Sequence, residues 1–118
     1  MAGRRDIVLA RFPFTDQAGT KLRPVLILAE IPGPYHDYVV LFITSQLGQA
    51  TPGLDVVIHP TDACFVQSGL KVASVFRIGK LASMSEMLIS GTLGTLEQPV
   101  FDEIVIRLTR LFQAGQSS

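Results

Sequence analysis

The sequence contains few of the residues that disulfide-linked, metal-binding and membrane-spanning proteins require. It has one cysteine, two histidines and no tryptophan among its 118 residues. A single cysteine excludes an intramolecular disulfide and a zinc site of several thiolates, so we expect Cys64 to be a buried structural thiol. No uncharged apolar run approaches the roughly 18 residues of a membrane span. Charged side chains within the first 12 residues interrupt any signal-peptide core, and we therefore expect a cytoplasmic protein.

Charged residues are scarce as well, at 17%, and ten basic side chains balance ten acidic ones. Zero net charge disfavours a protein that coats nucleic acid without selectivity. The distribution is uneven, because residues 1–23 hold five basic and two acidic groups, whereas residues 24–70 hold four acidic groups and no basic ones. Five more basic groups follow in residues 71–118. Contact between the two basic segments would create an anion-binding groove on a neutral protein.

What the chain has in abundance is short apolar segments, in keeping with a hydrophobic content of 47%. These segments are rich in β-branched and aromatic residues and are separated by turns that contain proline and glycine. We predict one domain over residues 1–118, with a frayed tail at 115–118 and a loop at 13–22. The third and most strongly β-forming strand should be central. The predicted strands are 6–12, 24–29, 38–44, 54–58, 72–78 and 87–96.

Helical spacing occurs only near the C-terminus, over residues 99–112. We expect this helix to pack on a small β-barrel, which makes the fold class β-rich α+β. The expected apolar stripe consists of Val100, Ile104, Leu108 and Leu111, with Phe101, Val105 and Phe112 beside it.

Motifs of the common enzyme classes do not occur. The sequence has no glycine-rich phosphate loop, no Gly-x-Ser-x-Gly elbow and no paired histidines or cysteines at metal-ligand spacing. His36 and His59 stand in separate loop segments, and we predict that both are ordinary surface residues. The chain therefore offers no candidate metal ligands.

Two polar residues stand at borders between loops and apolar strands. Arg23 precedes Pro24 and a buried strand, so its planar guanidinium should be held at the rim of the barrel, where it suits phosphate. Thr44 ends the strongest strand and is followed by Ser45 and Gln46, which places two hydroxyls and an amide together. A structural interpretation explains the same pattern. In it, Arg23 forms a salt bridge that stabilises the fold, and Thr44 is an ordinary β-forming residue at the end of its strand.

Six segments together resemble a known family. They are Asp6-Ile-Val, Phe12-Pro-Phe-Thr-Asp16, Arg23-Pro-Val-Leu-Ile-Leu28, Ile43-Thr-Ser-Gln46, Val75-Phe-Arg-Ile-Gly-Lys-Leu81 and Leu93-Gly-Thr-Leu96. They occur in the order found in the PemK/MazF toxin family, and the resemblance covers nearly the whole chain.

The resemblance implies an SH3-like barrel, usually a homodimer, that acts as a sequence-specific endoribonuclease toxin with a cognate antitoxin protein as partner. Enzymes of this kind cut single-stranded RNA without a metal or other cofactor. The ribose 2′-OH attacks the adjacent phosphorus and leaves a 2′,3′-cyclic phosphate and a 5′-OH. The family's catalytic arginine and threonine correspond to Arg23 and Thr44.

Further residues are candidates for RNA contacts under this interpretation. Phe14 is either a stacking face or a core anchor, and Asp6 either caps a turn or orients Arg23. Arg77 and Lys80 are explained equally well as charged side chains that are exposed on the surface of the barrel and have no role in binding. The predicted RNA-binding residues are Asp16, Thr20, Lys21, Ser45, Gln46, Arg77 and Lys80.

Two other functions fit the same fold. A CcdB-like toxin would bind DNA gyrase through the exposed face of the C-terminal helix without catalysis. An inactive family member would act only as a binding module. The endoribonuclease depends on Arg23 and Thr44, whereas neither alternative does.

Overall fold

The computed structural model describes residues 2–11 and 21–114. Within these residues, six antiparallel strands form one sheet in the order β4-β5-β3-β2-β1-β6, and two helices accompany it. The strands are β1 (Asp6–Arg11), β2 (Leu22–Ile31), β3 (Asp37–Thr44), β4 (Val56–Ile58), β5 (Ser74–Ser85) and β6 (Ile89–Thr95). The helices are α1 (Phe65–Ser68) and α2 (Gln98–Ala114), and short 3-10 turns span Leu47–Gln49 and Glu86–Leu88.

All six predicted strands are present, and the prediction that the third is central is confirmed. β3 pairs with β2 on one side and with β5 on the other. β2 is longer than predicted and begins at Leu22, so the predicted loop at 13–22 is one residue too long. Most of that loop, together with the tail at 115–118, lies outside the described residues.

β5 differs most from its prediction, since it continues to Ser85 rather than ending at residue 78. Gly79 and the exposed Lys80 interrupt the apolar pattern, which is why the sequence indicates an early end. The pairing shifts register there, because Leu41 of β3 faces Leu81 whereas Ile43 faces Phe76. Residues 77–80 of β5 therefore form a bulge opposite a single β3 residue.

The predicted fold class, a small β-barrel with a C-terminal helix, is confirmed, and the sheet is barrel-like without being closed. Register shifts in the β1–β6, β2–β3 and β3–β5 pairings bend it. Among the described residues, the edge strands β4 and β6 pair only with β5 and β1, so the sheet does not close. Alternating side chains give a core on each face. One core is centred on Ile7, Leu26, Leu41, Phe76 and Ile78 together with α2, and the other on Val8, Val25, Ile27, Tyr38 and Val40.

α2 packs on the first of these cores through three buried residues, Phe101, Ile104 and Leu108. The predicted helix is confirmed, but its apolar stripe is narrower than expected. Leu111 and Phe112 are 39% and 63% exposed, and Val105 is also exposed. Leu111 and Phe112 lie in the last turns of α2, beyond the buried residues, and Val105 lies beside the stripe in the middle of the helix. The described helices include none long and apolar enough to span a bilayer.

Helix α1 is absent from the predictions, because four residues are too few to show a periodicity. Cys64 precedes it and is buried, as predicted, and burial raises the pKa of its thiol. Gly69 ends the helix with φ of 74°, a left-handed conformation that glycine adopts without strain. A Cβ on Gly69 would overlap the backbone of Leu93, so α1 lies directly against β6.

At one end of the sheet, a hydrogen bond links β3 to the turn before β6. The Tyr38 hydroxyl donates to Glu86 Oε1 at 2.8 Å, and this bond, together with burial, raises the pKa of Tyr38 to about 12. The backbone N–H of Glu86 donates to the carbonyl of His36 at 3.0 Å. These contacts hold that end of the sheet together.

Candidate functional site

Arg23 and Thr44 lie at the other end of the sheet, on neighbouring strands. Val25 of β2 faces Phe42 of β3, and continuing this antiparallel register by two residues on each strand would set Arg23 opposite Thr44. Opposed residues in an antiparallel pair project from the same face of the sheet. The pairing of β2 with β3 thus brings to one end of the sheet two residues that lie 21 positions apart in the sequence.

The Thr44 side chain has a defined orientation. Its Oγ1 accepts a hydrogen bond from the backbone N–H of Gln46 at 3.1 Å, which forms a local turn at the end of β3. A hydroxyl that accepts through its oxygen can still donate its proton. The half-buried Thr44 is therefore able to donate to an anion beside it.

Arg23 is exposed and, among the described residues, its guanidinium has no hydrogen-bond or ion-pair partner. The structural salt bridge considered above is therefore not seen in that part of the chain. An arginine without a protein acceptor retains its full set of planar donors for a phosphate group.

Two adjoining cavities share Arg23, Ile43 and Thr44 as a common wall. We call the first the basic cavity; it has a volume of about 560 Å³. Besides the shared wall, it is lined by Phe42, Gln46, Gln49, Arg77 and Lys80. The second, the apolar cavity, has a volume of about 400 Å³ and is lined besides by Leu9, Leu22, Pro24, Ser45, Leu70, Lys71, Val72, Ser74 and Leu93.

The bulge in β5 explains why the basic cavity holds three cations. Arg77 and Lys80 lie in the bulged segment opposite Phe42, and Phe42 lines the same cavity. A bulge redirects side chains that a regular strand would alternate between its two faces. Both residues thereby join Arg23, which lies two strands away in the sheet.

Sequence reasoning missed two residues that contact Arg77. Asp55 is buried, and its Oδ2 lies 3.6 Å from Arg77 Nε. Gln49 lies in a 3-10 turn, and its Oε1 accepts from Arg77 Nη1 at 2.8 Å. The sequence offered one weak indication of Asp55, a charged residue within the predicted strand 54–58. Near the start of a strand, however, a charged residue is expected to be exposed.

The apolar cavity depends on the packing of α1 against β6. The segment after Gly69 supplies Leu70, Lys71 and Val72 to its wall, and β6 supplies Leu93. Lys71 and Ser74 were also missed by sequence reasoning. Nothing in their local sequence separates them from other residues that flank a strand.

Replacing Gly94 with alanine should lower the free energy of unfolding by about 2–3 kcal/mol, in the range for overpacked sites. A Cβ at this position would overlap the backbone of Gln67 and Ser68, which cannot move as a side chain can. Gly91→Ala is the matched control on the same strand, because a Cβ there meets nothing within 4 Å. Equal urea midpoints for the two variants would contradict the close packing of α1 on β6.

The remaining predicted residues have different outcomes. Ser45 lines the apolar cavity and Gln46 the basic one. Lys21 is exposed one residue before β2 and lines neither cavity. His36 and His59 are exposed, as predicted. Phe14, Asp16 and Thr20 lie outside the described residues.

Asp6 caps a turn at the far end of β1. Its Oδ2 accepts from the backbone N–H of Gly3 at 2.8 Å, and its Oδ1 accepts from the Thr95 hydroxyl at 3.1 Å. Arg23 faces Ala10, at the opposite end of the same strand. Of the two roles considered for Asp6, the structure therefore favours the cap.

A comparison with protein families agrees with this architecture. The family described as PemK-like, MazF-like toxin of type II toxin-antitoxin systems matches residues 3–112. The chain belongs to this family of toxins. The match includes Arg23, Thr44 and every described residue that lines the two cavities.

Among solved structures, one of the similar chains is an endoribonuclease in complex with its cognate antitoxin, from a mycobacterial species. Its TM-score to this toxin is 0.65, the match covers 92% of each chain, and the sequence identity is 14%. At that identity the likeness concerns the fold. No curated protein sequence matches the toxin.

Proposed function

We propose that this toxin is a sequence-specific endoribonuclease that cleaves single-stranded RNA without a metal, with Arg23 and Thr44 as its catalytic residues. The observation that carries the proposal is the shared wall of the two cavities, where a guanidinium without a hydrogen-bond or ion-pair partner in residues 2–11 and 21–114 lies beside a hydroxyl held by the Gln46 N–H. Membership of the toxin family and the endoribonuclease among its structural neighbours support this reaction class.

In the proposed reaction, the ribose 2′-oxygen forms a bond to the adjacent phosphorus and loses its proton. The bond from phosphorus to the 5′-oxygen breaks, and the leaving oxygen takes up a proton. The products are a 2′,3′-cyclic phosphate and a 5′-OH end. Negative charge grows on the non-bridging oxygens, where Arg23 neutralises it and the Thr44 hydroxyl donates a hydrogen bond.

A scissile phosphate between Arg23 and Thr44 would place RNA in both cavities. In the basic cavity, Arg77 and Lys80 suit a neighbouring phosphate, and the exposed amide of Gln46 suits a base edge. In the apolar cavity, Ser45 is available for a polar contact beside a surface on which a base can pack. Asp16, Thr20 and Lys21 remain proposed RNA contacts.

The proposal includes two protein partners. One is a cognate antitoxin, as expected for a toxin of a type II system and as found in the mycobacterial complex. The other is a second copy of the chain, because the family resemblance implies a homodimer.

The purified, antitoxin-free toxin should cut a long single-stranded RNA in excess EDTA at discrete positions. Mapping should find cyclic phosphate and 5′-OH ends, because no metal takes part in the proposed step. Cutting that stops in EDTA and returns with added magnesium would contradict the metal-independent mechanism. No cutting by a folded protein would favour a CcdB-like gyrase poison or a binding module.

A further inference from the structure

We propose that Asp55 and Gln49 are positioning residues that hold the Arg77 guanidinium in the basic cavity as a second phosphate-binding cation. This inference rests on the proposed function, since it assigns Arg77 to a phosphate next to the scissile one. Under this proposal, the catalytic pair is joined in the basic cavity by a third residue, Arg77, whose position is set by the buried Asp55.

Asp55 is fixed by the backbone around it. Its Oδ1 accepts from the N–H of Ile78 at 2.9 Å, and its Oδ2 accepts from the N–H of Thr51 at 2.9 Å. The carbonyl of Asp55 accepts from Arg107 Nη1 of α2 at 2.7 Å. With 2% of its side chain exposed, this carboxylate has little freedom to move.

The carboxylate and Gln49 together define the position of Arg77. Oδ2 of Asp55 attracts Nε, and Oε1 of Gln49 accepts from Nη1. In the described part of the chain, one Nη1 hydrogen and both Nη2 hydrogens have no protein acceptor. Because Arg77 also lines the basic cavity, these donors are available to an anion there.

The hydrogen bonds of Asp55 leave Arg77 able to bind an anion. A buried carboxylate needs a cation or several donors to offset its desolvation, and Asp55 has two backbone donors besides Arg77. Arg77 can therefore bind a phosphate without leaving Asp55 unsatisfied. A guanidinium held in advance also loses less side-chain entropy when the ligand binds.

The test measures binding of a single-stranded RNA that carries 2′-O-methyl groups throughout, so that it cannot be cut, at a series of salt concentrations. Arg77→Ala should reduce the slope of log K against log[salt] by about 0.7, the value for one phosphate contact on a single strand. Gln49→Ala should raise Kd by roughly 2- to 10-fold, because one hydrogen bond that orients the cation is lost.

The double variant separates positioning from direct contact. If Gln49 acts only through Arg77, adding Gln49→Ala to Arg77→Ala should cause no further loss of binding. With cleavable RNA, Gln49→Ala should raise KM more than it lowers kcat. Full additivity in the double variant, or a Gln49→Ala protein that binds as the wild type does, would overturn the assignment.

Asp55→Asn should weaken binding in the same way, and Asp102→Asn is its control for the change in net charge, because Asp102 is exposed on α2. If Asp55→Asn does not fold, the Gln49 variants still decide the question. Binding to uncleavable RNA does not require catalysis, so a wild type that binds without cutting contradicts only the proposed function. A wild type that neither binds nor cuts overturns both proposals.

Discussion

Replacing Arg23 with alanine should lower the rate of RNA cleavage by about 10³-fold, the lower end of the effect of an arginine that stabilises phosphoryl-transfer transition states. Among the described residues, Arg23 is the one cationic side chain of the basic cavity that also lines the apolar cavity. Without the Arg23 guanidinium, the negative charge that grows on the non-bridging phosphate oxygens would no longer be neutralised at the shared wall of the two cavities. Initial rates on a defined single-stranded RNA, with enzyme in excess, measure this effect directly.

Arg23 is exposed, so its replacement should change cleavage without changing stability. Because the exposed guanidinium makes no hydrogen bond or ion pair with another described residue, Arg23→Ala should leave the urea midpoint nearly unchanged. Arg23→Lys keeps the charge but loses the planar fork, so its rate should lie between those of alanine and the wild type. Arg110→Ala, an exposed arginine on α2, is the matched control and should cut normally. A folded Arg23→Ala protein with wild-type rates would exclude Arg23 from catalysis.

Replacing Thr44 with alanine should lower the cleavage rate by about 10²- to 10³-fold, as loss of one donor to a developing oxyanion typically does. The hydroxyl oxygen is held at the end of β3 by the N–H of Gln46, and its proton remains available to donate to the phosphate. The loss should appear in kcat, because the bond is stronger to the transition state than to the substrate.

Two further variants distinguish chemistry from structure at Thr44. Thr44→Ser keeps the hydroxyl and should retain most of the activity, whereas Thr44→Val keeps the shape and should be as impaired as alanine. Thr92→Ala is the matched control, because Thr92 is exposed on β6 and lines neither cavity. A Thr44→Val protein as active as Thr44→Ser would show that shape at this position matters and the hydroxyl does not.

The two variants are also expected to interact. Arg23 and Thr44 would act on the same phosphate, so the double variant should lose less activity than the product of the two single losses. Independent losses that multiply fully would place the two residues at different phosphates. The structure favours the first outcome, because both residues line the same two cavities.

Much of the fold was predictable because its signals are local. Alternating and continuous apolar segments mark the strands, and residues three and four positions apart mark the buried side of α2. Arg23 and Thr44 could be selected because each stands where a loop meets an apolar strand. The family resemblance then assigned them a shared role, which no local pattern supplies.

The rest depends on contacts between distant parts of the chain. The bulge that brings Arg77 to Arg23 exists only where β5 pairs with β3, so Gly79 and Lys80 by themselves indicate the end of a strand rather than a bulge within one. From the sequence, Asp55 is expected to be an exposed residue near the start of a strand. Its burial follows from contacts with Ile78 and Arg77, which are distant in the sequence. The exposure of Phe112 likewise depends on which helical residues the sheet covers.

By itself, the sequence determined which segments become strands and where the C-terminal helix lies, and which two residues are the best candidates for catalysis, because hydrophobic periodicity and backbone preferences act over a few residues. The tertiary structure alone decided that the sheet stays open, that three cations meet in one cavity, and that Asp55 is buried beneath one of them. These features arise from strand register, bulges and helix packing, which depend on the free energy of the whole fold rather than on any one segment.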